Sequence, residues 1–142
     1  MPAIERTLTI RASPAAVFAL ISRVEDFARY SKAIKEVTAI GRDTYRWVVS
    51  VAGVEFDWDS EVTEARSPLC FSWRAIRGVE NRGIFRLTPV AGGTEVRFTM
   101  EYRLASPILE KIVRAIAVPL MHKVAAEILE QVRMRLEQAT GE

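Results

Sequence analysis

One cysteine, Cys70, and one histidine, His122, are all that the 142 residues offer of the two side chains that build most zinc sites. A single cysteine excludes an intrachain disulfide, which fits a reducing compartment. A lone histidine with no Cys/His spacing matches neither a zinc nor a haem-attachment pattern, so no metal or other cofactor is expected. An excess of one charge is also missing. Twenty basic residues against 18 acidic ones leave a net +2, too balanced to argue for a nucleic-acid partner. Long hydrophobic runs are absent: the longest, 112–121, is broken by Arg114 and falls far short of the ~20 residues that span a bilayer. The first residues lack the apolar core of a signal peptide. The expectation is a soluble, cytoplasmic protein. No glycine-rich phosphate loop is found either, because Gly92-Gly93 sits in a hairpin and not between a strand and a helix.

What is present is an ordinary globular balance, 49% hydrophobic and 27% charged, in a length that suits one domain over 1–142. Such a chain buries roughly two thirds of its unfolded surface and builds a core without staples. A strand is expected over 3–11, where Ile4, Arg6, Leu8 and Ile10 share a face. Ser13-Pro14 then supplies a cap and a first-turn proline for a short helix, with a second short helix or turn over 24–30. Beyond it the period becomes twofold. Strands are expected over 34–40, 45–51, 54–65, 69–76, 81–89 and 94–104, separated by tight turns. Gaps this short make hairpins, so the sheet is expected to be antiparallel. A last helix over 106–138 would be capped by Ser106 and Glu110. It is amphipathic, and Pro119 is expected to kink it near Ala115.

One helix must then cover the dry face of about seven strands, and geometry makes complete filling difficult. The expected inward residues are rich in rings: Trp47, Phe56, Trp58, Phe71, Trp73, Phe85, Phe98 and Tyr102. Rings at strand spacing commonly just fill a core, but they also line small-molecule pockets. Met100 from the last strand, with Ile116 and Leu120 from the helix, completes the candidate ligand-binding set.

The order of strand, two short helices, six strands and long helix resembles the START-like helix-grip superfamily. Within it the chain is most similar to the polyketide cyclase/dehydrase and lipid-transport branch. Three segments carry the likeness. One is the opening strand with Ala12-Ser13-Pro14-Ala15-Ala16-Val17-Phe18, which follows a small-Pro-x-x-Val-Phe pattern. Another is Gly83-Ile84-Phe85-Arg86-Leu87-Thr88-Pro89 leading through Gly93-Thr94-Glu95-Val96. The third is the helix end, Val132-Arg133-Met134-Arg135-Leu136-Glu137. The resemblance implies an α+β fold in which a curved antiparallel sheet wraps a long C-terminal helix around a cavity. It is compatible with lipid or quinone carriers, aromatic cyclases and protein-interaction domains.

Groups that could carry chemistry are few. His122 could act as a general base, though a polar helix-surface role is simpler. Cys70 reads as a small structural thiol, having no triad around it. Arg6 could meet an acidic or carbonyl group at a cavity end, but solvation is the plainer reading. Tyr45 and Tyr102 are better polar candidates, since a phenol packs by its ring and bonds by its tip. Glu55, Asp57, Asp59 and Glu61 recur on alternate positions, about 6.6 Å apart and too far to share one ion, so cross-strand pairing with arginines is expected. Lys111, Arg114 and Lys123 would permit transient contact with an anionic membrane, although an ordinary wet face explains them as well.

The reading these observations support is a domain that binds or carries a hydrophobic small molecule: a lipid, isoprenoid, quinone or polyketide-like aromatic. The alternatives are a cyclase/dehydratase-type enzyme, or an interaction module of the same fold with its cavity closed. No oligomeric state follows from the sequence.

Overall fold

The computed structural model of the protein describes residues 3–51, 53–103 and 107–140, with backbone alone described at 51, 107, 109–110, 112–118, 120 and 139–140. Strand β1 (Ala3–Ile10) leads into helix α1 (Pro14–Ile21) and a 3-10 helix over Val24–Arg29. Six strands follow: β2 (Ile34–Gly41), β3 (Thr44–Val51), β4 (Val54–Arg66), β5 (Cys70–Gly78), β6 (Glu80–Val90) and β7 (Gly93–Arg103). Helix α2 (Pro107–Thr140) ends the chain. The strands form one seven-stranded sheet in the order β1-β7-β6-β5-β4-β3-β2, and every pairing is antiparallel. This is the helix-grip architecture that the family resemblance implies. β2 to β7 are joined by hairpins, and β1 closes onto β7, the last strand.

Local chemistry accounts for the boundaries. Ser13 Oγ accepts the Ala16 N–H at 3.1 Å, and Pro14 occupies the first turn of α1. Leu69, expected to open β5, instead belongs to the preceding turn: its N–H donates to the Arg66 carbonyl at 2.8 Å and its side chain is exposed. Gly78 ends β5 at φ 85°, with its Cα hydrogens against the Asp57 carbonyl and Trp58 Cα. A side chain there would be strained and would collide with β4. α2 runs unbroken through Pro119. The expected cap of α2, Ser106 with Glu110, lies outside the described residues and side chains, as does Leu104 at the expected end of the last strand.

The core lies between the concave sheet face and the helices. Phe85, Ile10, Val17, Ile21, Val96 and Val132 are fully buried. On α2, Ala125, Ile128, Leu129 and Val132 are buried at helical spacing. Glu137 fastens the helix end: its carboxylate accepts the Arg11 backbone N–H and a guanidinium N–H of Arg133, both at 3.0 Å. These bonds, the Arg11 one foremost, hold the Glu137 carboxyl below its ordinary value.

The convex face carries the charges. Glu61 meets Arg74 across strands, and Glu101 meets Arg82. Asp59 pairs with arginines across strands as expected, but the pairing also buries it. Arg46 and Arg77 bracket it from the neighbouring strands at 2.9 and 2.8 Å and leave it buried. Their hydrogen bonds hold its carboxyl far below the usual carboxylate range. Among the described residues no cluster of side chains is arranged to hold a metal ion.

Candidate functional site: an apolar cavity between sheet and helix

An aromatic chain runs across the concave face. Trp47 on β3 opposes Trp58 on β4 in register, and their rings stack with centroids 5.8 Å apart. Trp73 on β5 continues the stack at 6.4 Å from Trp47. It also reaches Phe98 at 6.1 Å, and Phe98 stacks on its cross-strand partner Phe85 at 4.6 Å. Gly83 on β6 is what lets Trp73 lie flat: a Cβ there would overlap the indole. Phe27, from the 3-10 helix, meets both Trp47 and Phe85 edge-on.

These rings do not close on α2. They leave a cavity of about 110 Å³. Trp47, Phe56, Trp58, Trp73, Phe98, Met100 and Tyr102 line it, all of them residues the alternation pattern had turned inward. Phe71 and Phe85 do not reach it. Phe71 packs against Phe18 of α1, and Phe85 is sealed behind Phe98 and Phe27, so both belong to the core. The reason is position along the strands: α1 fills the end of the groove where Phe71 lies. The side chains of Ile116 and Leu120 lie outside those described. α2 contributes Met121, Val124, Ala125 and Ile128 to the wall.

The polar candidates separate. Arg6 is exposed on edge strand β1 and is not in the wall. Tyr45 is half-buried outside the cavity, and burial raises its hydroxyl pKa, helped by Asp43 and Glu25. His122 is half-buried on α2 and does not line the cavity. Cys70 is buried, and burial together with a hydrogen bond to Glu64 pushes its thiol up, away from nucleophilic thiolate character. Tyr102 alone of these stands in the wall. Among the described lining residues it is also the sole titratable one, and none is charged.

Asn81 was missed by sequence reasoning. It begins the alternation Asn81, Gly83, Phe85, Leu87, all buried and facing the helix. The signal was there, but a polar residue at a strand's start reads as solvated. Asn81 instead follows the tight hairpin at Gly78 and lies in the cavity wall, with Nδ2 donating to the Val79 carbonyl at 2.8 Å.

A seven-stranded antiparallel sheet gripping a long helix around an apolar cavity defines a helix-grip protein. The chain belongs to the polyketide cyclase/dehydrase and lipid transport family, whose model matches residues 1–137. Solved structures share the fold. TTHA0849 from Thermus thermophilus is similar with a TM-score of 0.85 at 24% identity, covering 97% of this chain and 99% of that one. The Zhui aromatase/cyclase from a Streptomyces species superposes with a TM-score of 0.75 at 18% identity, covering 98% and 95%. A START superfamily protein from Mycobacterium smegmatis gives 0.69 at 18% identity, covering 96% and 98%. No curated protein matches the chain in sequence. Among the described residues no helix is long and apolar enough to cross a membrane.

Proposed function

We propose that the protein binds a hydrophobic small molecule between the sheet and α2, as a carrier or binding domain. The observation that supports this most is the cavity wall: stacked indoles, Phe98, Met100 and aliphatic side chains of α2, with no charged residue among those described. Aromatic and aliphatic walls with few polar groups are what hold apolar ligands. The volume, about 110 Å³, is below the roughly 150 Å³ of a dry cavity that holds benzene, so a single ring is the upper size and enters with some side-chain adjustment. The ligand-contacting residues in this reading are Trp47, Phe56, Trp58, Trp73, Phe98, Met100 and Tyr102.

A cyclase or dehydratase role is the alternative within the same family. Acid–base chemistry on a bound chain works best with two groups of separated proton affinity, and Tyr102 is the one titratable side chain among the described lining residues. That favours binding over turnover. Native mass spectrometry of the purified protein, followed by organic extraction, tests the proposal. One apolar molecule per chain is the expected result. A clean apo mass, together with no saturable uptake of a hydrophobic dye, would contradict it.

A further inference from the structure

Two buried polar atoms on residues of the cavity wall have no partner in the protein. Trp58 Nε1 is a buried donor and Asn81 Oδ1 a buried acceptor, and neither makes a hydrogen bond. Both side chains are more than nine-tenths buried, at 7% and 3% exposure, and both line the cavity. The orientation of the Asn81 amide is fixed by its other end. Nδ2 donates to the Val79 carbonyl, and a flipped amide would set two carbonyl oxygens against each other, so Oδ1 is the free end. Each group left unpaired gives up the hydrogen bond it would make in water. The hydroxyl of Tyr30 is orphaned too, but Tyr30 does not line the cavity. What distinguishes Trp58 and Asn81 is that a donor and an acceptor share the cavity wall.

We propose that Trp58 and Asn81 form a polar subsite that selects a neutral, hydroxyl-bearing ligand: a phenol or alcohol on an apolar body about one ring in size. The inference rests on the binding role proposed above and names the ligand class. A hydroxyl both accepts and donates, so it suits a wall that offers one N–H and one carbonyl oxygen. A carboxylate does not suit it. It has no proton for Asn81, and no cation among the described lining residues offsets its desolvation. Both atoms are shut off from solvent, so a hydroxyl that bonds them competes with no water. Sites built to bond a hydroxyl reject analogues lacking it, because the site's own buried groups are then left unpaired.

Calorimetric titration with 4-ethylphenol, 4-ethylanisole and ethylbenzene tests the subsite. In the unmodified protein 4-ethylphenol should bind about tenfold or more tightly than the other two. Trp58→Phe keeps an aromatic ring in the wall but removes the N–H, and Asn81→Leu removes the acceptor. Each should erase most of that preference, read as the ratio of 4-ethylphenol to ethylbenzene affinity within the same variant. Trp58→Phe leaves the backbone bonds intact and so keeps the test valid if Asn81→Leu fails to fold. Equal affinity for all three probes in the unmodified protein, or a preference that survives both substitutions, would overturn the subsite while leaving the apolar cavity standing. Failure of all three probes to bind saturably would overturn the binding role and the subsite with it.

Discussion

The indoles of Trp47 and Trp58 stack 5.8 Å apart and 11° from parallel, yet only Trp47 has its N–H satisfied within the protein. Trp47 donates to Ser60 Oγ at 3.0 Å, two residues along β4 from Trp58. Ser60→Ala should therefore orphan a buried donor and destabilise the fold by ~1–3 kcal/mol in urea unfolding. Trp58→Phe gives up no internal hydrogen bond, so its cost should be confined to lost ring area. A Ser60→Ala variant as stable as the parent would remove the Trp47–Ser60 bond from the account.

Gly83 makes room for Trp73. Gly83→Ala sets a methyl where the indole lies, so either β6 retreats or Trp73 swings into the cavity. Overpacking of this kind costs ~1–3 kcal/mol. The expected outcome is a lower urea midpoint with an altered tryptophan emission. An unchanged spectrum at unchanged stability would contradict the packing described.

Asp59 ties stability to pH. Arg46 and Arg77 hold its folded-state carboxyl well below the ordinary 3.8. A lowered folded value means stabilisation that is complete above the unfolded value and is lost as pH falls below it. The protein should thus weaken on acidification from about pH 4 downward. Asp59→Asn should flatten that slope and cost roughly 1–2 kcal/mol at neutral pH, discounted because both arginines are half exposed. Thermal unfolding of both proteins across this range checks the sign. Parallel pH curves would show that Asp59 is not the group responsible.

Strand and helix placement was legible in the sequence because the dry and wet faces alternate cleanly, as in Val96, Phe98, Met100 and Tyr102 against Glu95, Arg97, Thr99 and Glu101. Alternation fixes which face a residue takes. It does not fix how far along the groove the residue lies. That is why alternation groups Phe71 and Phe85 with the cavity residues: they share a face with Trp73 and Phe98 but pack against α1 or behind other rings. Asp59 shows the converse. It sits on the outward face as expected, yet two arginines from flanking strands bury it, a result of cross-strand register that periodicity does not carry. Asn81 was hidden because polarity suggested solvent, whereas the hairpin at Gly78 turns it inward. Phe27 belongs to a 3-10 helix whose packing onto Trp47 is wholly tertiary.

The central claim is that the space between the sheet and α2 is a binding cavity and not a packing defect. Ala125, on α2, is 4% exposed and lines that space. Ala125→Leu fills it from within, at little cost or with a gain in stability, since the added methyl groups enter a void. The most direct measurement is titration of ethylbenzene into the parent and into Ala125→Leu, with the melting temperature of each recorded. Saturable binding by the parent, reduced at least about tenfold in a variant of equal or higher melting temperature, is the expected result. Equal binding by both proteins would show that the ligand sits elsewhere, and the cavity would lose its role.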